Sequence, residues 1–200
     1  MLRKAVPVVL VLLVLFASSC TVNLENVQRI TYTLRVEEEG TTKEGRLEME
    51  SKQLDEENYE VQVNFTMDGE GFTTTFKTQK GNLQEAIAPI VLANPALAGI
   101  GAALSVAQMF LVPPLLEGEK FTEGFQWKQK SEEGETEVTV LSAETRFERE
   151  ALWIEVKQNG TTMARVLLTK EGYFPLVVDL QDPEKEGNRF FVEVKEVTWK

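Results

Sequence analysis

Apolar and polar residues alternate with a period of two along most of this chain. In residues 59–68 the alternation is unbroken: the odd-numbered residues Tyr59, Val61, Val63, Phe65 and Met67 are apolar, and the residues between them are polar. Successive side chains of a β-strand point to opposite faces of the sheet, so this pattern predicts a strand with one buried face and one face in water. It disfavours a buried parallel sheet, whose strands are apolar on both faces.

The same alternation recurs from Ile30 to Val36, around Leu47 and Met49, and from Phe72 to Phe76. It returns after residue 121, in six further short segments: Phe125/Trp127, Val138/Val140, Leu152–Val156, Val166/Leu168, Phe174–Val178 and Phe190–Val194. Turn residues separate the first strands, at Gly40, 55–58 and Asp68-Gly69. The sequence therefore predicts a mainly β fold of about ten successive antiparallel strands, forming a strongly curved sheet or half-barrel.

Residues 86–116 contain no charged side chain, although 26% of the whole chain is charged. Four prolines interrupt the segment (Pro89, Pro95, Pro113 and Pro114), so it is predicted to form two helical pieces, at about 83–92 and 95–112, within an insert at about 83–116. Three structures fit it: a transmembrane span, a hairpin inserted into lipid, or a buried helical plug on the sheet. The plug is favoured, because a sheet with one apolar face needs a cover.

The N-terminus reads as an export signal. Arg3 and Lys4 precede an apolar run from Ala5 to Ala17, which is too short to span a bilayer comfortably and ends in small residues. The segment Phe16-Ala17-Ser18-Ser19-Cys20 resembles the lipobox of bacterial lipoproteins, which implies that Cys20 is acylated and becomes the mature N-terminus. An ordinary secretory peptide with an incidental cysteine is the alternative.

These segments predict a signal peptide at 1–19, an acylated tether at 20–28 and a single β domain at 29–200. The expected location is the cell envelope, with the acyl chains of Cys20 in the outer membrane or in the outer face of the cytoplasmic membrane. The mature domain is acidic, so anchoring is expected to depend on acyl chains and not on a polybasic patch.

Charge and composition exclude several classes of function. The chain has 32 acidic and 21 basic residues, a formal net charge of −11, with no histidine and one cysteine. This balance disfavours nucleic acid as a partner, since no basic stripe is present to neutralise phosphates. Triads that need histidine, clustered-cysteine metal sites and intrachain disulfides are excluded by counting. We expect no catalytic residues, no metal and no cofactor, and therefore a protein that is not an enzyme.

The segment Gly172-Tyr173-Phe174-Pro175-Leu176 is similar to the Gly-x-Pro-Leu strand entry of a bacterial envelope superfamily. With the lipobox-like signal and the predicted architecture, the chain resembles the lipoproteins and carriers that include the lipoprotein localisation factors LolA and LolB. The resemblance implies a half-barrel closed by a helical plug, with acyl chains held between them.

Two functions follow, and both stay open. The first is binding or carriage of a lipid, a lipidated protein or another apolar ligand inside the half-barrel. The second is a structural or protein-interaction lipoprotein with a filled core and no ligand. For the first, the expected ligand lining consists of Tyr59, Val61, Val63, Phe65, Leu97, Leu104, Phe174, Leu176 and Val178.

Overall fold

The computed structural model describes residues 27–79, 121–131, 134–171, 174–182, 185 and 187–199. These ranges contain ten strands: β1 (Val27–Glu38), β2 (Thr41–Gln53), β3 (Asn58–Met67), β4 (Glu70–Gln79), β5 (Gln126–Ser131), β6 (Gly134–Arg146), β7 (Arg149–Gln158), β8 (Thr161–Thr169), β9 (Pro175–Gln181) and β10 (Arg189–Trp199). The prediction of a mainly β fold with about ten strands is confirmed.

All ten strands belong to one antiparallel sheet with the order β4-β3-β2-β1-β10-β9-β8-β7-β6-β5. Each half of the chain forms a meander, and the halves meet where β1 pairs with β10. Within the described ranges no ladder joins the outer strands β4 and β5, so the sheet is open.

The predicted insert at about 83–116, including Leu97 and Leu104, lies outside the described residues, as does Cys20. The described part of the chain contains no helix, and therefore no helix that is long and apolar enough to cross a membrane. The helical plug thus stays a prediction.

Four hairpins turn on two residues with positive φ. The pairs are Glu39-Gly40, Asp68-Gly69, Phe147-Glu148 and Asn159-Gly160. Their φ angles lie between 49° and 84°. Positive φ at both central residues is the signature of the type I′ turn, whose twist matches that of the flanking strands. The longer β2–β3 connection is held instead by Asp55, whose carboxylate accepts hydrogen bonds from the backbone N–H groups of Glu57 and Asn58.

One face of the sheet, here called the apolar face, carries the alternating apolar residues and forms the core. Cross-strand pairs build it: Tyr32 lies opposite Leu47 of β2 and Val194 of β10, and Leu47 lies opposite Phe65 of β3. The second half continues it through Val192, Val178, Val166 and Ile154. Burying one such aliphatic side chain stabilises a fold by about 1.5 to 3 kcal/mol.

The opposite face, here called the polar face, is not in water along its whole width, which corrects the expectation of one wet face. Ala151, Leu167 and Val177 lie on it and are buried, and Leu167 pairs with both Trp153 and Val177. The sequence carries a signal for this, since Val166-Leu167-Leu168 and Leu176-Val177-Val178 are continuous apolar runs. Such runs are typical of strands covered on both faces.

Candidate functional site

The seven described residues of the predicted ligand lining all lie on the apolar face or at its border. Tyr59, Val61, Val63 and Phe65 point to it from β3, while Leu176 and Val178 do so from β9, with Phe174 just before that strand. All seven are at most 9% exposed, and all except Tyr59 belong to the same core cluster. The fold therefore brings both halves of the predicted lining to one surface.

The two halves of this lining are not adjacent. Strands β2, β1 and β10 lie between β3 and β9. Their side chains fill the interval, chiefly Met49 and Leu47 of β2, Tyr32 of β1 and Val194 of β10. Tyr32 is buried, and burial raises the pKa of its phenol far above the ordinary value, so the ring stays uncharged. A ligand that touched both halves would have to lie across this central strip.

An open depression of about 460 Å³ lies at one end of the apolar face. Its apolar lining comes from Val36, Leu180 and Phe190, with Met163 beside them. Val36 pairs with Phe190 and Phe190 pairs with Leu180, so these three continue the apolar rows of β1, β10 and β9 towards the strand ends. All four side chains are half-buried.

Polar residues form the rim of this depression: Glu37, Glu38, Gln181, Asp182, Asn188 and Arg189. Arg189 donates two hydrogen bonds to the Asp179 carboxylate, at 2.6 and 2.7 Å. This pairing holds the pKa of the Arg189 guanidinium above its ordinary value. Asn188 accepts a hydrogen bond from the backbone N–H of Glu39 at 3.1 Å, which ties the β9–β10 connection to the β1–β2 turn. The rim is therefore held by an ion pair between β9 and β10 and by one hydrogen bond between two loops.

The residues of this depression were not singled out by the sequence. Val36 and Phe190 follow the alternation that marks the apolar face, which places them on that face but not at its open end. The decisive feature is where β1, β9 and β10 end relative to one another, and that depends on register. Register between distant strands leaves no local signal in a single sequence.

Ion pairs occupy the polar face of the sheet. Glu155 of β7 accepts from Lys157 and Arg165, each at 2.8 Å, and its side chain is 7% exposed. Glu193 of β10 pairs with Arg146 and with Lys195. Each carboxylate thus has two cationic partners. We interpret both groups as ion pairs that stabilise the sheet. Among the residues that the structure describes, no three acidic or cysteine side chains are grouped to hold a metal ion.

No family model matches this chain, and no curated protein matches it. Solved structures with a similar fold include MucB in complex with MucA(peri), at 12% identity and a TM-score of 0.40, covering 89% of this chain. The chain spans about half of that protein, 53% of its length.

This chain covers nearly the whole length of two further structures. One is a candidate exported protein with a YmcC-like fold from Bacteroides fragilis (9% identity, TM-score 0.30, 85% of this chain and 94% of that one). The other is a candidate lipoprotein from Parabacteroides distasonis (8% identity, TM-score 0.33, 90% and 100%). The lipoprotein localisation factors are not among these three structures, and similarity at this level does not assign the chain to a family.

Proposed function

We propose that this protein is a lipid-anchored envelope lipoprotein that binds a lipid or the acyl chain of a lipidated protein on the apolar face of its sheet. The observation that supports this function is the open depression of about 460 Å³ at the end of that face. Binding, and not catalysis, is proposed as the activity.

The depression has the composition of a site for an amphipathic molecule. Ligand pockets are usually about 300 to 1,000 Å³ in volume, mostly apolar, with a few polar groups that fix orientation. Here Val36, Leu180 and Phe190 offer apolar contact, and the polar groups lie at the rim. An acyl chain would enter along these three residues towards the core, and its polar end would stay at the rim, beside Asn188.

Co-purified lipid tests this proposal directly. The full-length protein would be extracted from membranes in mild detergent and examined by native mass spectrometry for non-covalent lipid. We expect bound lipid on the wild type and at least a tenfold lower occupancy on Val36→Trp, because the indole fills the depression.

Arg29→Trp is the matched control, since it adds the same ring to the same strand at an exposed position that pairs with Glu48 on the polar face, and neither residue lines the depression. We expect its lipid occupancy to equal that of the wild type. A wild type that carries no lipid, or equal losses in the two variants, would contradict the proposed site.

The anchor is a separate part of the proposal and rests on the lipobox-like segment that ends in Cys20. A Cys20→Ser protein is expected to leave the membrane fraction or to stay unprocessed. Tight association of a processed Cys20→Ser protein with membranes in high salt would refute acylation as the anchor.

A structural or protein-interaction role is the second candidate, and the packing of the apolar face favours it. Ile30, Val138, Ile154, Val166 and Val194 are all 0% exposed, so a large part of this face is already in contact with protein. A filled interior has no room for a ligand. Wild-type protein that is free of lipid in the experiment above would support this second function.

A further inference from the structure

The two outer strands of the sheet differ in how well their edges are protected. β5 has six residues, of which Lys128 and Lys130 are charged and paired with Glu137 and Glu135 of β6. Short strands and lysines are the usual means of blocking unwanted pairing at a sheet edge. β4 has ten residues, and between its first residue, Glu70, and its end only Lys77 is charged. β4 therefore lacks the protection that β5 has.

The backbone groups at the β4 edge can be assigned from the turn before it. Asp68-Gly69 is a two-residue type I′ turn, so Met67 and Glu70 exchange both backbone hydrogen bonds. By alternation, the even-numbered residues of β4 bond to β3. The N–H and C=O groups of Gly71, Thr73, Thr75 and Lys77 then point away from β3. No strand in the described ranges pairs with this side of β4.

We propose that this edge of β4 pairs with β4 of a second copy of the chain. The two strands run antiparallel about a twofold axis at Thr74, perpendicular to the sheet. Phe72 of each copy then lies opposite Phe76 of the other, and Thr73 lies opposite Thr75. The result is one continuous sheet in which both copies share the same apolar face.

The sequence of β4 is self-complementary in this register. Phe72 and Phe76 both lie on the apolar face, where each is half-buried, and aromatic side chains that face each other across two strands stabilise their pairing. Lys77 lies opposite Gly71 of the second copy, so no like charges face each other. A shift by one residue would place the phenylalanines of one copy on the polar face of the other, which the two-residue period disfavours.

Disulfide trapping at the axis tests the register. The two Thr74 residues would form a non-hydrogen-bonded pair, with their Cα atoms about 4.5 Å apart. This is within the range of a disulfide, about 4.4 to 6.8 Å. We expect full-length Thr74→Cys protein, oxidised in its membranes, to form a covalent dimer on a non-reducing gel.

Three controls accompany it. Wild type reports pairing through Cys20 alone. In Thr73→Cys the two cysteines would be about 9 Å apart in the proposed register, which is beyond disulfide range. Lys128→Cys reports pairing through the β5 edge. We expect neither cysteine variant to exceed the wild-type background.

Proline at an outward-pointing position provides an independent measurement. Thr75→Pro removes an N–H group from the free edge without removing a bond to β3, and proline is tolerated on edge strands. In detergent, light scattering is expected to give the mass of a dimer for the wild type and of a monomer for Thr75→Pro, with unchanged circular dichroism.

A monomeric wild type, a folded Thr74→Cys protein that forms no dimer, or a disulfide to a different protein would each overturn the proposal. So would equal cross-linking at residues 73 and 74. This inference does not depend on ligand binding, because lipid occupancy and oligomeric state are measured separately.

Discussion

Glu155 shows how this acidic chain tolerates a buried carboxylate. Burial acts to raise the pKa of Glu155, but the hydrogen bonds and charges of Lys157 and Arg165 outweigh it, so its pKa lies below the ordinary value. Lys157 belongs to the same strand as Glu155, whereas Arg165 lies opposite Glu155 on β8. The ion pair with Arg165 therefore depends on the pairing of β7 with β8.

The lowered pKa of Glu155 predicts a pH-dependent contribution to stability. A carboxyl group whose pKa is lower in the folded state stabilises the fold above its unfolded pKa, about 4.3 for glutamate, and loses this effect as the pH falls through the folded value. Glu155→Gln should thus lower the unfolding free energy by about 1 to 3 kcal/mol at pH 7. The difference from wild type should shrink below about pH 4, because protonated Glu155 resembles glutamine.

Denaturant unfolding of both proteins between pH 3 and pH 7 measures this difference. Glu56→Gln, a change in an exposed loop, serves as the control and should follow the wild type. A constant difference between Glu155→Gln and wild type across the range would show that the carboxylate charge is not the cause.

Gly71 is constrained by the close approach of β3 and not by a turn. A Cβ atom at this position would lie 2.2 Å from the carbonyl oxygen of Phe65, a backbone atom that cannot move aside alone. We expect Gly71→Ala to lower the unfolding free energy by about 1 to 3 kcal/mol, the usual effect of overpacking. Thr73→Ala, an exposed change in the same strand, should stay within about 0.5 kcal/mol. Equal effects in thermal unfolding would refute the steric explanation.

At the scale of elements, β9 is too short to pair with the whole of β10. The β6–β7 hairpin covers the edge of β10 that is left. The ladder between β9 and β10 ends at Glu193, so the following residues of β10 have only β1 beside them in the described sheet. The β6–β7 turn packs there: Trp199 donates its indole N–H to the carbonyl of Phe147 at 3.0 Å. The guanidinium of Arg149 lies 4.1 Å from the centroid of the same ring.

Trp199→Phe should weaken this contact. The substitution removes the hydrogen bond to Phe147 and the larger ring under Arg149, so we expect the unfolding free energy to fall by about 1 to 2 kcal/mol. Arg149→Lys keeps the positive charge but loses planar stacking on the ring. It should lower the unfolding free energy by less than Trp199→Phe does. Unchanged chemical unfolding of Trp199→Phe would indicate that the turn does not hold the end of β10.

Many of the strands and tight turns can be predicted from the sequence, because both have local residue patterns. The alternation at residues 59–68 and the Asp68-Gly69 pair predicted β3 and its turn into β4 correctly. The bulge in β6 between Val140 and Ser142 was not predicted. The bulge interrupts the alternation at Leu141, whose side chain is 47% exposed. A single leucine in a strand does not indicate a bulge from sequence alone.

At the scale of the whole molecule, the alternation predicted which side chains face the core but not which strands meet. The pairing of β1 with β10 joins residues near the two ends of the domain, and no local preference specifies it. The same applies to the candidate site. The predicted lining residues from β3 and β9 lie on one face, but none of them lines the open depression beside Val36, which depends on how three strands end.

The last prediction concerns the chain without residues 1–20. Most of its apolar face is buried, and in the described ranges the exposed large apolar side chains are Leu54 and Leu141, which are far apart in sequence. Isolated exposed side chains of this kind do not drive aggregation, whereas large contiguous patches do. We therefore expect this shortened protein to stay soluble without detergent and to give a strand-dominated circular dichroism spectrum, with a minor helical part from residues 83–116. A mostly helical spectrum, or a strict need for detergent, would instead favour insertion of residues 86–116 into lipid.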